Sequence, residues 1–176
     1  GAIVCRVSPS FLRFGSYQIH ALRGDKETLE KLVDHTIKTH FSHLSSNGDE
    51  LLLDWLKEII ETTTKMVINW MRVGFVHGVM NTDNMSIHGI TIDYGPFGWI
   101  ENYDPNWTPN TTDITTKRYR FGQQPMIAGW NLARLLESIS PLLENPQKLQ
   151  ELMEHYDKFL LKEYKNMWCN KLGLEK

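Results

Sequence analysis

The sequence predicts an α+β fold in which helices dominate and one small β element follows a long helix. Two observations carry this prediction. Apolar residues recur three and four positions apart over four long segments, which is the spacing of amphipathic helices. Between Gly74 and Gly98 that spacing is replaced by short β-like runs interrupted by Gly and Asn.

The elements of the first half are predicted from these patterns in chain order. Residues 2–7 are apolar and β-branched and stop before Pro9, which predicts a strand. Residues 25–41 carry apolar side chains at helical spacing and predict a helix. Residues 50–73 give the clearest helical pattern, and that helix is predicted to end at Gly74.

The second half contains the β element, a loop and two helices. The segment 85–92 predicts a hairpin that turns at His88 and Gly89. Residues 99–124 are rich in Pro, Asn, Thr and Asp without any period, which predicts a long irregular loop of a kind that is often functional. The remaining helices are predicted over residues 125–139 and 146–168.

Composition limits the function classes. The chain has the length of one domain, and its 19 basic and 21 acidic residues give a formal net charge of -2. A nucleic-acid-binding module usually has a basic excess, so we expect no nucleic-acid partner. No apolar run approaches the roughly 20 residues that cross a bilayer, so we expect no membrane partner.

The cysteine content and the first residue bear on the cell context. Two cysteines are too few for a disulfide framework, and no targeting segment is visible, so we expect a reduced, intracellular domain. The chain begins with Gly1 rather than Met. We therefore interpret it as an internal piece of a longer protein.

Three polar residues near the predicted hairpin form a candidate metal site. The hairpin would place Asn84 and Asp93 side by side at one end. An amide oxygen and a carboxylate suit a hard divalent cation such as Mg²⁺, which often completes its ligand shell with water and phosphate. Asp83 is adjacent in sequence and could accept a proton or orient a nucleophile. The alternative is that these residues serve only the chemistry of turns.

The spacing of these residues echoes the protein-kinase signature. His77 corresponds to the histidine of the catalytic loop, Asn84 to its metal-binding asparagine, and residues 93–95 to the Asp-Phe-Gly motif. The usual catalytic aspartate is replaced by Val79, which leaves Asp83 as the nearby carboxylate. The pattern predicts a site for a metal–nucleotide complex in which the base has moved or is lost.

Three further residues have two interpretations each. Arg6 and Arg13 suit phosphate oxygens, because the planar guanidinium donates in a fork. The alternative for both is a surface or interface salt bridge. His77 is interpreted as a buried hydrogen-bonding residue rather than as a ligand or a base.

Several long strings resemble the selenoprotein O family. They are residues 74–87 (Gly-Phe-Val-His-Gly-Val-Met-Asn-Thr-Asp-Asn-Met-Ser-Ile), residues 91–98 (Thr-Ile-Asp-Tyr-Gly-Pro-Phe-Gly), residues 5–15 (Cys-Arg-Val-Ser-Pro-Ser-Phe-Leu-Arg-Phe-Gly), Gln124-Pro125 and Trp130-Asn131-Leu132. The resemblance covers about residues 1–140.

The resemblance implies a pseudokinase fold that binds ATP in an inverted orientation. It implies transfer of AMP to Ser, Thr or Tyr hydroxyls of protein substrates. By this resemblance Asp83 is the catalytic base, Asn84 and Asp93 hold Mg²⁺ or Mn²⁺ beside the nucleotide, and Arg6 and Arg13 belong to the pocket for the triphosphate. A bacterial member is expected in the cytoplasm and a eukaryotic member in the mitochondrion.

The resemblance also implies that residues 1–176 are part of a kinase-like domain, mainly its helical large lobe. The small lobe, with a glycine loop, a lysine and a helix glutamate, is expected upstream of Gly1, so the chain alone is expected to be inactive. Two alternatives stay open. One is a kinase-fold phosphotransferase that uses Asp83 as a displaced base. The other is an inactive nucleotide-binding scaffold.

Overall fold

The structure, a computed structural model, describes residues 1–174. Helices account for most of these residues, and one two-stranded sheet accompanies them. The elements are α1 (Phe14–Leu22), α2 (Lys26–His40), α3 (Asp49–Val73), β1 (Phe75–Val76), β2 (Gly98–Trp99), α4 (Gln124–Ile139) and α5 (Lys148–Leu172). Four 3₁₀ turns lie at Thr82–Asn84, Thr111–Asp113, Phe121–Gln123 and Ser140–Leu142. The α+β class predicted from the sequence is confirmed.

Helix α3 is the centre of the fold because it packs against both α4 and α5. Its inward side carries Trp55, Leu56 and Ile59, which are fully buried. Burial of each such side chain contributes about 1.5–3 kcal/mol. The helix ends at Gly74, which adopts the left-handed conformation with φ 72°, as helix-terminating glycines commonly do.

An aromatic cluster joins the first two helices to α3. The Trp55 ring meets Tyr17 of α1 edge-on at 5.6 Å between centroids, and Phe41, just after α2, at 6.3 Å.

Helix α2 begins at the N-cap Asp25, whose carboxylate accepts a hydrogen bond from the Thr28 backbone N–H at 3.1 Å. The cap supplies a partner for an amide that the helix itself cannot satisfy.

The β element is smaller than a regular hairpin. Strands β1 and β2 pair antiparallel in the register Phe75 with Trp99 and Val76 with Gly98. The hairpin predicted over residues 85–92 reduces to one isolated bridge between Met85 and Thr91. Its turn lies against α3, because a Cβ added at Gly89 would lie 2.5 Å from the Thr62 carbonyl carbon.

The prediction of a strand over residues 2–7 is wrong. Within the described part of the chain these residues pair with no strand, and the Val7 side chain is almost fully exposed. A β-branched run without a pairing partner has no ladder to join. Helix α1 was not predicted, because it is short and its apolar residues do not form one buried stripe: Phe14 and Tyr17 are buried, whereas Ile19 and Leu22 are exposed.

The other predicted elements are confirmed with small shifts of their ends. The segment 99–124 is irregular apart from β2 at its start and two 3₁₀ turns. Helices α2, α3, α4 and α5 lie within a few residues of their predicted limits. No helix within residues 1–174 has the length and apolar character needed to span a membrane.

We expect Gly89→Ala to destabilise the protein more than Gly24→Ala. Both glycines have positive φ, 59° and 68°, but a Cβ at Gly24 meets no atom within 4 Å. Gly24→Ala should therefore cost only the left-handed strain, about 1–2 kcal/mol. Gly89→Ala should cost about 1–3 kcal/mol more, because the turn must move away from α3. Urea unfolding of both variants measures the difference, and equal losses would contradict the packing of this turn on α3.

Candidate nucleotide and metal site

The loop that follows β1 is held by side-chain amides. Gln124, buried at the start of α4, accepts a hydrogen bond from the His77 backbone N–H at 3.0 Å. The same side chain donates to the Phe75 carbonyl at 2.9 Å. One glutamine thus satisfies two backbone groups where the chain leaves the sheet.

Three asparagines continue this pattern along the loop. Asn110 donates to the Gly78 carbonyl at 3.0 Å, Asn84 to the Val79 carbonyl at 2.8 Å, and Asn131 to the Met80 carbonyl at 2.8 Å. Buried backbone groups need hydrogen-bond partners, and here they are supplied from three separate segments. The loop over residues 77–80 is therefore fixed residue by residue.

His77 is a structural residue of this loop. It is fully buried, and its Nε2 lies 2.8 Å from the Ile92 carbonyl. Burial lowers the pKa of His77, so the neutral ring donates from Nε2 to that carbonyl. The interpretation of His77 as a buried hydrogen-bonding residue is confirmed. This hydrogen bond joins the loop to Ile92, the residue before Asp93.

Asp83 and Asn84 lie in the 3₁₀ turn at the end of the loop. The Asp83 carboxylate rests over Gly15 in the first turn of α1, where an added Cβ would lie 2.0 Å from Oδ1. Only glycine permits this approach. The N-terminal turn of a helix favours a negative charge. Asp83 is exposed and therefore open to solvent.

The Asn84 side chain uses only one of its two polar groups in a hydrogen bond. The amide nitrogen donates to the Val79 carbonyl. Within residues 1–174 the side-chain oxygen Oδ1 accepts no hydrogen bond. The loop thereby orients this amide so that its oxygen is the group left for another ligand.

Asp93 forms a bidentate ion pair with Arg13. Nε of Arg13 lies 2.8 Å from Oδ2 and Nη2 lies 3.0 Å from Oδ1. Hydrogen bonding to Arg13 is the main reason that the pKa of Asp93 is lowered, and the same contact raises the pKa of Arg13. Asp93 has φ 52°, a left-handed conformation that is uncommon for a residue other than glycine.

A short backbone pairing brings Arg13 to this position. The Phe14 N–H donates to the Met85 carbonyl at 3.0 Å, and the Ile87 N–H donates to the Leu12 carbonyl at 3.3 Å. The chain before α1 thus runs antiparallel to the segment that leads into the 85–92 turn. This pairing places the start of α1 beside both Asp83 and Asp93.

Arg6 reaches the same region from the irregular N-terminal segment. Its guanidinium carbon lies 3.8 Å from the centroid of the Tyr94 ring, which is a close cation–π contact. The positive charge of Arg6 also contributes to lowering the pKa of Asp93. Arg6, Phe11, Asp93 and Tyr94 line a cleft of about 870 Å³.

The structure brings all five predicted site residues to one region. Arg6, Arg13 and Asp93 are in direct or near contact, and Asp83 and Asn84 lie on the adjoining loop beside α1. Sequence reasoning gave no role to Tyr94 as the platform for Arg6 or to Gln124, Asn110 and Asn131 as holders of the loop. The signal for Gln124 and Asn131 was a polar amide within the apolar pattern of α4, whereas no local pattern marked Asn110.

The chain matches a known protein family along its whole length. The family model for the protein adenylyltransferase SelO matches residues 1–176. The chain belongs to the SelO family. The resemblance noted in the sequence is therefore confirmed over the whole chain.

Relatives in the SelO family cover this chain completely but are much longer. A protein nucleotidyltransferase YdiU from Flavobacterium johnsoniae is 55% identical over 175 residues, which are 99% of this chain and 33% of the relative. YdiU proteins from Rhodopirellula baltica and Xanthomonas campestris are 54% and 52% identical over 100% and 99% of the chain. Each match covers 34% of the relative. The chain spans about a third of the length of these relatives.

The donor set of this SelO chain fits a hard divalent cation. Asn84 offers an amide oxygen and Asp93 a carboxylate with a lowered pKa, and oxygen ligands of this kind suit Mg²⁺ or Mn²⁺. In residues 1–174 there is no group of three or more His, Cys, Asp or Glu side chains able to hold a metal ion. The two donors suit a cation that takes its other ligands from water and phosphate.

Arg13→Gln should raise the pKa of Asp93 toward its usual value of about 3.9, because the hydrogen bonds from Arg13 are the main reason that this pKa is low. The pKa of Asp93 is lower in the folded than in the unfolded chain. The ion pair therefore stabilises the folded chain above about pH 4, and this stabilisation is lost as the pH falls through the pKa of the folded state. Carboxyl-carbon NMR titration measures this pKa. Arg23→Gln, at an exposed arginine, is the control; an unchanged Asp93 pKa in Arg13→Gln would contradict the assignment.

Proposed function

We propose that the complete protein carrying this chain transfers AMP from ATP to hydroxyl side chains of proteins in a metal-dependent reaction. The membership of the SelO family and the likeness to protein nucleotidyltransferases support a nucleotidyl transfer to protein. The observation that carries the assignment of residues is that Arg6 and Asp93 line one cleft while Arg13 forms a bidentate ion pair with Asp93. Asp83, on the adjoining loop, contacts the first turn of the helix that follows Arg13. The chain is then the large-lobe part of a kinase-like domain.

Arg6 and Arg13 are proposed to bind the β- and γ-phosphates of an inverted ATP. Transfer of AMP requires attack at the α-phosphorus with pyrophosphate as the leaving group. The two outer phosphates must therefore lie in a cationic pocket while the α-phosphate faces the acceptor. Arg6 lines the cleft and Arg13 lies beside it on Asp93, so two positive charges act on this region and favour phosphate oxygens there.

Asn84 and Asp93 are proposed to hold Mg²⁺ or Mn²⁺. Such an ion, when bound, offsets the negative charge that develops on the phosphate oxygens. The low pKa of Asp93 keeps its carboxylate charged at neutral pH, and the hydrogen bond from Asn84 to Val79 directs its oxygen away from the loop. Both residues are thus prepared as oxygen donors before any ligand arrives.

Asp83 is proposed as the catalytic base. Its carboxylate takes the proton from the acceptor hydroxyl while the oxygen forms its bond to the α-phosphorus and the bond to pyrophosphate breaks. The contact with α1 at Gly15 fixes the carboxylate, and its exposure leaves room for an incoming protein segment. Val79 supplies no acid or base, since its side chain is a hydrocarbon.

ATP labelled at the α- or the γ-phosphorus tests the reaction. The complete protein is incubated with Mg²⁺ or Mn²⁺ and each labelled ATP, and label in protein is counted. We expect label from α-labelled ATP only, because AMP keeps that phosphorus. Label from γ-labelled ATP would establish the phosphotransferase alternative. ATP binding without label from either position would establish the inactive scaffold.

Asp83→Ala and Asp93→Ala should have different effects in the complete protein. Asp83→Ala should leave ATP affinity unchanged and lower the transfer rate by about 10²–10⁴-fold, the usual contribution of a general base. Asp93→Ala should weaken both metal-dependent ATP binding and transfer. Calorimetry and α-label incorporation separate these outcomes. A large loss of ATP affinity in Asp83→Ala would show that Asp83 is a ligand, and full activity in Asp93→Ala would refute the metal assignment.

A further inference from the structure

A basic surface lies outside the nucleotide cleft and centres on an exposed tryptophan. We name it the Trp130 patch; it comprises Lys117, Arg118, Arg120, Trp130 and Arg134. The guanidinium carbon of Arg118 lies 4.7 Å from the centroid of the Trp130 ring, and that of Arg134 lies 5.5 Å from it. The Trp130 side chain is 42% exposed, which is unusual for so large an apolar ring.

The positive charge of the patch is only partly neutralised. Within residues 1–174, Lys117, Arg118 and Arg120 form no ion pair with a carboxylate. Arg134 pairs with Glu137, but its Nε is buried without a hydrogen-bond partner. The patch therefore has a net positive charge, which is carried by Lys117, Arg118 and Arg120.

The nearest acidic residue of the segment is used for structure. Asp113 is buried, and its carboxylate accepts hydrogen bonds from the backbone N–H groups of Arg118 at 3.0 Å and Tyr119 at 2.7 Å, and from the Thr116 hydroxyl. These contacts fix the backbone that carries Lys117 and Arg118. The basic side chains thus project from a fixed segment.

Stacking on Trp130 prepares the arginines for carboxylate binding. A guanidinium that lies over an aromatic ring uses its face, while its N–H groups remain at the edge and can donate to an anion in a fork. The exposed ring adds an apolar surface beside these donors. An occupant with carboxylates and some apolar area matches both features.

Both segments that carry the patch also hold the loop of the proposed base. Asn110 precedes Lys117 in the irregular segment and donates to the Gly78 carbonyl. Asn131 follows Trp130 in α4 and donates to the Met80 carbonyl. A protein segment seated on the Trp130 patch is thereby coupled through two short connections to the loop that ends at Asp83.

We propose that the Trp130 patch docks an acidic segment of the acceptor protein, with carboxylates that flank the modified hydroxyl. The identity of the partner as the acceptor rests on the proposed function. A protein segment fits better than a nucleic acid, because a nucleic-acid backbone needs an extended row of cations and the chain has a net charge of -2. Two guanidinium groups at one aromatic ring, with two further cations on the same segment as Arg118, suit a short acidic peptide.

The test uses the complete protein and a fluorescent oligoglutamate peptide that contains one serine. Binding is measured by anisotropy, and AMP transfer to the peptide by α-label. The patch variants are Lys117→Glu/Arg118→Glu and Trp130→Leu. The matched control, Lys162→Glu/Lys165→Glu, reverses two exposed charges on α5. Thermal melting of each variant verifies folding.

Both patch variants should bind the peptide about tenfold more weakly, which is the effect of losing a few exposed charge contacts. KM for the peptide should rise to the same extent, while kcat and ATP affinity stay unchanged, as should every value for the control. The unaltered protein should also bind oligoglutamate about tenfold more tightly than oligoglutamine, a comparison that needs no variant.

Four results would overturn or divide the inference. Equal binding of oligoglutamate and oligoglutamine, or equal KM in the patch and control variants, would overturn it. Tighter, patch-dependent binding of oligothymidylate would assign the surface to nucleic acid instead. Patch-dependent peptide binding without any AMP transfer by the unaltered protein would refute the proposed function and leave the docking surface standing.

Discussion

The site depends on one constraint, which is that the buried backbone of the loop after β1 must find hydrogen-bond partners without a sheet to supply them. The two-stranded sheet ends at Val76. From His77 onward, side-chain amides take over the role of a neighbouring strand. Since Gln124 and Asn131 lie on α4 and Asn110 lies in the irregular segment before it, the loop takes its shape from the assembled fold. The position of Asp83, at the end of the loop, depends on these hydrogen bonds.

The difference between local signals and long-range contacts explains which parts of the molecule the sequence could predict. Helix α3 was predicted closely because its signals are local: an apolar stripe within one segment and a glycine at its end. The turn predicted at His88 and Gly89 is present, but the strands on either side of it pair only at Met85 and Thr91. Helix α1 was missed, because its apolar residues are partly buried and partly exposed and give no clear stripe.

The contacts that define the site were beyond local patterns for the same reason. Arg13 and Asp93 lie 80 positions apart, and no spacing rule connects them. The run over residues 2–7 was read as a strand because β-branched residues favour pleated surfaces. In the described chain it instead carries Arg6 to the Tyr94 ring in an extended, exposed segment. Residue type was enough to predict which side chains belong to the candidate site, but their arrangement depends on long-range contacts.

The bidentate pair of Arg13 with Asp93 raises the question of how one carboxylate serves an arginine and a proposed metal ion. A carboxylate has about four lone-pair positions on its two oxygens. Arg13 uses one position on each oxygen, from Nε and from Nη2, and leaves one on each. The proposed cation would therefore not need to displace Arg13. The arginine would hold the plane of the Asp93 carboxylate, which would offer the ion the remaining position on each oxygen, and the ion would supply charge neutralisation to the phosphates.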